Sequence, residues 1–357
     1  MAERSLQDFV SEVKGDSHLR IEQDFGDGFV RLRTSEADRR QAAQDIQCSE
    51  DIVIELLRNS RDAHASHVFV AVSKEGNRRT ITVIDDGDGI PGPMHETVFE
   101  PRVTSKLDTS HMDAWGLHGR GMALYSIAQN ADSARIVASD VKLGCALRVT
   151  TDLTALPEKT DQSSFPRFLL AEEGTVNVRG PKNIIRTSCE FAIESRDECA
   201  VFLGTPAEIA ATLYSYGTAT LSSIDRAFCK DRSMLPVAKR LATASDPEDF
   251  SKLAESLGLH LSQRTARRVI DGQIGDVDSL LEQITIEKKG LEKKKGSRPK
   301  SQRAKIQRGD ANELADSVRA SFEVIAERYY FKEDVDPRVR VSRDKLIITI
   351  PLVDKDE

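Results

Sequence analysis

The sequence predicts an α+β fold, and two observations support this class. In residues 1–195, apolar side chains alternate at every second position in several short stretches, which is typical of strands, and helical stretches lie between them. Beyond residue 205 the alternation gives way to consecutive helical segments with capping signals. We therefore expect a sheet with helices on one face, followed by a helical module and a short C-terminal α/β element.

The first elements follow from these patterns. A helical pattern covers residues 37–65 and passes from Ala/Gln/Arg-rich to Ile/Leu-rich turns. In HVFVAVSKE, Val68 and Val70 alternate with other residues, and RRTITVIDDGDGIP repeats the alternation with Ile81 and Val83. The dipeptide GN between the two stretches predicts a hairpin that joins two strands.

The same reasoning extends through the rest of the chain. GMALYSIAQNA predicts a helix, SARIVASD and GCALRVTTDL a second pair of strands, and EEGTVNVRG and CEFAIES two further strands. TPAEIAATLYSYG, DPEDFSKLAESLG and LSQRTARRVIDG predict helices that begin at Thr, Asp or Ser and end at Gly. VRVSRDKLIITIPL predicts a terminal hairpin after one more helix, and no internal repeat is present. The predicted divisions are a domain over 1–195, a helical module over 205–285, a basic linker over 286–309 and a C-terminal helix and hairpin over 310–357.

The composition excludes several classes of protein. Charged residues make up 31% of the 357 residues and the net charge is −7, so the bulk charge does not indicate nucleic-acid binding. No run of about twenty apolar residues occurs, and the N-terminus MAERSLQDFVSEV lacks the apolar core of a signal peptide. We therefore expect a cytoplasmic protein that does not bind a membrane. The five cysteines form no CxxC pair, so neither a disulfide framework nor a zinc site is predicted.

The helix predicted over ELLRNSRDAH carries three polar residues on one side. Glu55, Asn59 and Asp62 follow one another at steps of four and three, which places them on the same side of a helix. On an isolated helix, such a side is most often a solvated outer face. The motifs that follow it make a binding role the better interpretation.

Three glycine-containing motifs follow this helix. Asp85, Gly87 and Gly89 form a D-x-G-x-G pattern directly after a strand, where glycine allows close backbone approach and the carboxylate can accept a hydrogen bond. GLHGRGMAL, at positions 116–124, runs into a helix and offers backbone N–H groups to an anion at the helix start. The third, Thr175 after a glycine in EEGTVNVRG, opens a strand. Each motif alone is equally consistent with an ordinary turn or loop.

Taken together in this order, the four motifs resemble the GHKL (Bergerat-fold) ATPase superfamily, which includes gyrase, heat-shock chaperones, histidine kinases and MutL. The resemblance covers roughly residues 40–190. ELLRNSRDAHASHVFVAV and the TSK that precedes GLHGRGMAL are similar to the MutL and topoisomerase VI B-subunit forms, whereas VFEPRVTSK is similar to the F-box of histidine kinases. The resemblance implies a Bergerat-type ATP-binding sandwich, a mixed sheet with helices on one face, that binds ATP with Mg²⁺.

The resemblance also implies a role for individual residues. Glu55 is the general base that polarises the attacking water, and Asn59 coordinates Mg²⁺. Asp85 accepts a hydrogen bond from the adenine amino group, and Thr175 supports that contact through water. The other residues implied to contact or enclose the nucleotide are Asp62, Gly87, Gly89, Thr104, Ser105, Lys106, Gly116, Gly119, Arg120, Gly121 and Met122.

Within this set, the resemblance separates two groups of residues. Gly87 and Gly89 make room for the adenine, and Gly119, Arg120 and Gly121 belong to a lid over the phosphates. The chain also departs from the family pattern. Met122 stands where MutL has an acidic residue. No lysine is singled out to reach the γ-phosphate, since nothing in the sequence selects between Lys239 and Lys345. These departures favour slow turnover and leave the prediction of ATP binding unchanged.

Three functions are compatible with such a domain. The first is a DNA-transaction ATPase of the MutL or topoisomerase VI B type, in which nucleotide clamps two protomers or a partner subunit together. The alternatives are a histidine-kinase-like signalling ATPase and a chaperone-like or regulatory ATPase with a protein client. His18 is the only histidine ahead of the motifs and lies in a turn-like context, which weakens the kinase alternative.

A basic segment indicates where DNA could bind. Lys288–Arg308 contains ten Lys and Arg residues against Glu287 and Glu292 nearby, in a chain that is otherwise acidic. A solvated linker is the simpler interpretation of such a segment, and a sequence-independent DNA contact is the functional one.

Overall fold

The computed structural model describes most of residues 21–288 and short pieces beyond them. The described ranges are 21–105, 111–113, 116–118, 121–159, 161–170, 176–222, 224, 229, 231–288, 318–319, 322, 326, 338–341 and 346–350. The chain divides into two compact units, Met1–Lys289 and Gly290–Glu357.

In the first unit, strands and α-helices follow one another along the chain. The elements are β1 (Ile21–Gly26), β2 (Phe29–Leu32), α1 (Glu36–Asp45), α2 (Ser49–Asp62), β3 (His67–Glu75), β4 (Arg78–Asp85), β5 (Val103–Thr104), β6 (His111–Asp113), β7 (Gly116–His118), α3 (Ala123–Asn130), β8 (Ser133–Ser139), β9 (Cys145–Asp152), β10 (Arg167–Leu170), β11 (Val176–Arg179), α4 (Ile184–Glu194), β12 (Ala200–Gly204), α5 (Pro206–Thr220), α6 (Pro247–Ser256), α7 (Gln263–Ile270), α8 (Leu280–Gln283) and β13 (Ile286–Lys288).

The core of the first unit is a mixed five-stranded sheet in the order β12-β3-β4-β9-β8. Its strands pair antiparallel except β12, which runs parallel to β3. This confirms the predicted α+β class, including the β3–β4 hairpin and the β8–β9 strand pair. Two three-stranded sheets, β1-β2-β5 and β11-β10-β13, and the β6-β7 pair complete the strands of the unit in the described residues.

Both faces of the central sheet are buried. Val70 and Val83 point to one face, called here the cavity face, where they pack with α2 and α4 in one apolar cluster. Phe69 and Ile84 point to the other, called here the module face, where α5, α6 and α7 cover them in a second cluster. Because helices cover β3 on both faces of the sheet, HVFVAV is apolar at nearly every position rather than at alternate ones.

The helical pattern predicted over residues 37–65 forms two helices. The chain becomes extended at Ile46 and Cys48, and α2 starts anew after them. The Asp51 carboxylate accepts hydrogen bonds from the backbone N–H groups of Gln47, at 2.8 Å, and Cys48, at 3.0 Å. These bonds satisfy donors at the helix start, so the second helix begins with its own N-terminal cap.

The prediction of a strand at CEFAIES is wrong, because these residues lie in α4. Asn183 caps this helix by accepting a hydrogen bond from the Arg186 N–H at 2.8 Å. Ile184, Ser188 and Phe191 then share its buried side at helical spacing. The short run CEFAI is too brief to separate a strand from a helix, whereas the cap lies six residues before it.

The helical module begins with α5, whose capping box joins Thr205 and Glu208. Gly217, expected to end this helix, lies inside it and is fully helical. A Cβ on Gly217 would lie 2.7 Å from the Ala242 Cβ and 2.9 Å from the Lys239 carbonyl oxygen. The glycine therefore allows the 3₁₀ segment Val237–Thr243 to pack closely on α5.

In the second unit, β14 (Arg338–Val341) pairs antiparallel with β15 (Leu346–Thr349). Among the described residues of the whole chain, no helix is long and apolar enough to span a bilayer.

Candidate nucleotide-binding site

A cavity that is partly open to solvent lies on the cavity face of the sheet. Its walls are apolar apart from three polar side chains, Asn59, Ser60 and Asp85. This composition suits a ligand that is mostly apolar and carries a few polar groups. The other residues that line the cavity are Leu56, Ala63, Val83, Gly89, Ile90, Leu124, Cys145 and Leu147.

Asp85 ends β4 and provides a buried carboxylate in this cavity. The Gly87 N–H donates to its Oδ1 at 3.0 Å, and the Ser60 hydroxyl donates to its Oδ2 at 2.9 Å. Burial raises the pKa of Asp85 to about 6, although these two hydrogen bonds oppose the rise. The group is therefore mainly ionised at neutral pH and available as a hydrogen-bond acceptor for a ligand.

Gly87 and Gly89 are required by the packing of the loop itself. A Cβ on Gly87 would lie 2.5 Å from the Ala63 carbonyl oxygen at the end of α2. Gly89 has φ +73°, and a Cβ there would collide with the Asp140 carbonyl oxygen. These contacts fix the loop between α2 and the β8–β9 turn, with Gly89 also lining the cavity. That the glycines make room for adenine stays a prediction.

On α2, Asn59 faces the cavity and has a side-chain atom without a hydrogen-bond partner among the described residues. This atom, Nδ2, is buried. Glu55 lies one turn earlier on the same side of the helix and pairs with Arg58, with 2.5 Å between Oε1 and Nη1. Glu55 is not one of the residues that line the cavity, and its side chain is 21% exposed.

Asp62, the third polar residue of the motif, does not line the cavity. Its carboxylate oxygen lies 3.4 Å from Nε of Arg61, and the Arg61 guanidinium contacts the Phe191 ring with 5.6 Å to its centroid. Both side chains are largely buried. A role of Asp62 toward the nucleotide stays a prediction.

Thr104 and Gly121 lie together beside α3. Gly121 has φ +67°, and a Cβ on it would lie 3.2 Å from the Thr104 Cβ. Thr104 pairs with β2, and Ser105, which follows it, is exposed. The next residue, Met122, is buried at the start of α3, whose first turn carries neither an acidic residue nor a side-chain cap. The N–H groups of that turn therefore remain available to an anion.

Other predicted residues are described only in part. Gly116 pairs with Asp113 in the β6–β7 hairpin. Lys239 lies on the module face, with Nζ 5.8 Å from the Tyr216 ring centroid, and does not line the cavity. Lys106, Gly119, Arg120, Thr175, Lys345, His18 and the basic segment after Lys288 lie outside the described residues.

Ser60 is the site residue that sequence reasoning missed. Ile52, Leu56 and Ser60 follow one another at steps of four, so all three lie along one buried side of α2. A hydroxyl that continues a line of large apolar residues was the available signal, since a buried hydroxyl needs a partner. That partner is Asp85.

Comparison with known proteins identifies the class of this domain. Residues 45–155 match the family model described as "Histidine kinase-, DNA gyrase B-, and HSP90-like ATPase". The matched range contains α2, the D-x-G-x-G loop and all the residues that line the cavity. This match confirms the resemblance to the GHKL ATPase superfamily that the motifs indicate.

Within the superfamily, the chain is similar to DNA mismatch repair proteins MutL. It is 41% identical to MutL of Lactiplantibacillus plantarum over 99 residues, which are 27% of this chain and 14% of the relative. It is 35% identical to MutL of Parabacteroides distasonis over 135 residues, 36% of this chain and 22% of the relative. MutL of Aquifex pyrophilus is 38% identical over 105 residues, 28% of this chain and 24% of the relative. The chain thus spans less than a quarter of the length of each of these relatives.

Proposed function

We propose that the cavity binds ATP through its adenine base. The observation that carries this proposal is the Asp85 carboxylate, ionised at neutral pH and placed in a cavity with apolar walls. Adenine is flat and largely apolar, and its amino group donates a hydrogen bond that a buried carboxylate accepts. Cys145 and Leu147 of β9 lie on the same wall as Val83, where they would contact one face of the base.

Asn59 is the residue that would hold Mg²⁺. Asn59 lines the cavity, and its buried Nδ2 has no hydrogen-bond partner among the described residues. No described acceptor therefore holds that end of the amide, whose Oδ1 would be the atom that ligates the ion. Mg²⁺ takes oxygen ligands and commonly binds through one or two protein groups together with phosphates and water. No cluster of three His, Cys, Asp or Glu side chains exists in the described residues, so the amide fits this sparse type of site. The ion would supply neutralisation of phosphate charge.

Glu55 is proposed as the general base for hydrolysis. It lies one helical turn from Asn59, on the side of α2 that leads away from the adenine end of the cavity. A carboxylate there orients water and accepts its proton, and the N-terminus of α3 offers backbone donors to the phosphates. The ion pair with Arg58 restrains the Glu55 side chain. Its effect on turnover is taken up in the Discussion.

Asp85→Asn tests the binding proposal. The amide cannot replace the carboxylate as acceptor without leaving a donor unpaired, and affinity for ATP should fall by about a hundredfold. Isothermal titration calorimetry with ATP and Mg²⁺ measures this. Asp88→Asn, on the same loop but 62% exposed and paired with His64, is the matched control and should bind as wild type does. If Asp85→Asn binds ATP as tightly as wild type, the cavity does not hold adenine in the proposed way.

We further propose that the protein works in a DNA transaction, with nucleotide-dependent pairing of two protomers or of a protomer and a partner subunit. The similarity to DNA mismatch repair proteins MutL favours this function over signalling by phosphorylation and over action on a protein client. The basic segment Lys288–Arg308 is the proposed DNA contact, because its positive charge would release counterions from a polyanion.

A salt titration tests the DNA proposal. Log affinity for duplex DNA should fall by roughly 0.9 per contacted phosphate for each tenfold rise in salt. Substitution of five lysines by Gln should abolish most binding and leave ATP hydrolysis without DNA unchanged. If this variant binds DNA normally, the segment is a linker. The five positions are Lys288, Lys289, Lys293, Lys294 and Lys295.

A further inference from the structure

Asp86, the neighbour of the adenine-site residue, is a second organised carboxylate. Because successive side chains of a strand point to opposite faces, Asp85 faces the cavity and Asp86 faces the module. Asp86 Oδ1 accepts from the backbone N–H groups of Ser66 and His67, both at 2.8 Å. Its Oδ2 lies 2.7 Å from Nδ1 of the His67 ring and accepts from the Tyr216 hydroxyl at 3.3 Å.

These four bonds join three parts of the protein at one carboxylate. Ser66 and His67 form the connection from α2 to β3, so they follow directly on the helix that carries Asn59. Asp86 itself begins the loop that carries Gly87 and Gly89. Tyr216 belongs to α5 of the helical module. A displacement of any one part therefore strains its bonds to the other two.

The surroundings of Asp86 keep this arrangement rigid. The His67 ring lies 4.8 Å from the Tyr216 ring, between centroids, and 6.4 Å from the rings of Phe69 and Phe202. Burial opposes ionisation of Asp86, but the hydrogen bonds from His67 and Ser66 outweigh it and the pKa of Asp86 is lowered. Burial, together with the Asp86 charge, raises the pKa of Tyr216 to about 12. The tyrosine therefore remains a donor and Asp86 an acceptor throughout the neutral range.

We propose that Asp86 and Tyr216 are positioning residues for the nucleotide site, and that through their hydrogen bond the docking of the helical module sets the affinity for ATP. This inference rests on the proposed ATP-binding function. Asp85 and Asp86 share one peptide unit, so the module bond that fixes Asp86 also fixes the backbone from which the adenine acceptor projects. Such coupling is reciprocal, and bound nucleotide strengthens the docking of α5 by the same factor.

The test is removal of the Tyr216 hydroxyl alone. Tyr216→Phe should weaken ATP binding about fivefold, at the low end of typical coupling between sites, and leave kcat unchanged at saturating ATP. Tyr214→Phe is the matched control. It makes the same chemical change on the same helix, and the Tyr214 ring packs on Phe250, with 5.7 Å between centroids, on the side of α5 away from Asp86. This control should bind ATP within about twofold of wild type, as expected for a ring outside the coupled path.

A double-mutant cycle separates positioning from general stability. Asp86→Ala should weaken binding more than Tyr216→Phe, because it also removes the acceptor for His67. The double variant should be no weaker than Asp86→Ala alone, since Asp86→Ala already removes the bond to Tyr216. Chemical denaturation of each variant without ATP measures its folded fraction separately. A variant that is fully folded before ATP is added loses affinity through the site and not through unfolding.

Three outcomes overturn the inference. If Tyr216→Phe binds ATP as wild type does, the proposed ATP site stands but the module does not set its affinity. If the two substitutions weaken binding additively, they act separately and the shared path is wrong. If wild type does not bind ATP, the proposed function and this inference both fail.

Discussion

The two faces of the central sheet differ in how completely their buried polar groups are hydrogen-bonded. On the module face, the carboxylate of Asp86 has four hydrogen bonds and the surrounding aromatic rings fill the space. On the cavity face, the carboxylate of Asp85 accepts from Gly87 and Ser60, and space remains between the apolar walls. There Asn59 has a buried amide nitrogen with no hydrogen-bond partner among the described residues. Because this unpaired group lines a cavity, it can be satisfied by a ligand, whereas Asp86 is already satisfied by the protein.

The largest effect expected from this comparison is in catalysis. Glu55→Ala should lower kcat by about 10²–10⁴-fold while ATP affinity changes little, because a general base acts mainly in the transition state. Steady-state hydrolysis and calorimetric binding, measured on the same sample, check this. Glu50→Ala is not a suitable control, since Glu50 holds Lys159 and Gln162 in place. The suitable control is Glu36→Ala, because Glu36 lies on the exposed side of α1. This control should leave kcat and ATP affinity unchanged.

Equal losses of affinity and turnover in Glu55→Ala would contradict the assignment. They would indicate that Glu55 supports α2 through its pair with Arg58 rather than acting on water.

A second prediction compares packing on the two faces by making the same substitution, Leu→Ala, once on each face. Leu213 in α5 is fully buried on the module face, whereas Leu56 in α2 borders the cavity. A buried Leu→Ala substitution lowers the free energy of unfolding by about 2–5 kcal/mol, and this loss increases with the volume of the cavity that it creates. Leu213→Ala should lie near the upper end of that range. Leu56→Ala should lie near the lower end, because one side of Leu56 already faces open space.

Chemical denaturation of the two variants measures the difference. A larger loss of stability for Leu56→Ala would mean that the cavity side of α2 is packed as tightly as the module face, against the distinction drawn here.

How much of the site was predictable depends on the range of each interaction. Helix spacing placed Glu55 and Asn59 on one side of α2, and the strand end placed Asp85 near them, because both follow from local geometry. Asp62 has the same spacing, yet it does not line the cavity and pairs with Arg61, which spacing alone does not show. The covering of the module face was not predictable either, since capping signals define helices without showing what they pack on.

Ser60 and Asp86 illustrate the same limit at single residues. Each is one position away from a residue that the motifs single out, and each matters through a partner distant in sequence, 25 positions for Ser60 and 130 for Asp86. Sequence motifs indicate the residue that contacts a ligand. They do not indicate the second residue that holds the first in position.

A third prediction concerns pH and the buried carboxylate of the cavity. The pKa of Asp85 is about 6 in the folded protein against 3.8 ordinarily, so the folded state binds its proton more tightly than the unfolded chain does. Stability from this group is fully present below pH about 4 and is lost as pH rises through about 6, a difference on the order of 3 kcal/mol. Without nucleotide, Asp85→Asn should therefore be more stable than wild type at pH 7, and the gap should narrow as pH falls toward 4.

Denaturation of both proteins across this pH range measures the effect. If the stability difference between them does not change with pH, Asp85 has an ordinary pKa, and burial in the cavity does not disfavour its ionised form.

The smallest predicted effect isolates the hydroxyl that supports Asp85. Ser60→Ala removes one donor to Oδ2 and leaves the backbone donors of Gly87 and Cys145, so the pKa of Asp85 should rise further. A hydrogen bond contributes about 1 kcal/mol net, which corresponds to roughly fivefold weaker ATP binding at pH 7. The weakening should grow as pH falls toward 6, because more Asp85 becomes protonated. Ser188→Ala is the control: this serine is also buried in a helix, and its hydroxyl has no partner among the described residues, so its removal should leave affinity unchanged at every pH. If Ser60→Ala binds ATP like wild type at both pH values, Asp85 is held by Gly87 alone, and the cavity face uses its backbone rather than α2 to orient the adenine acceptor.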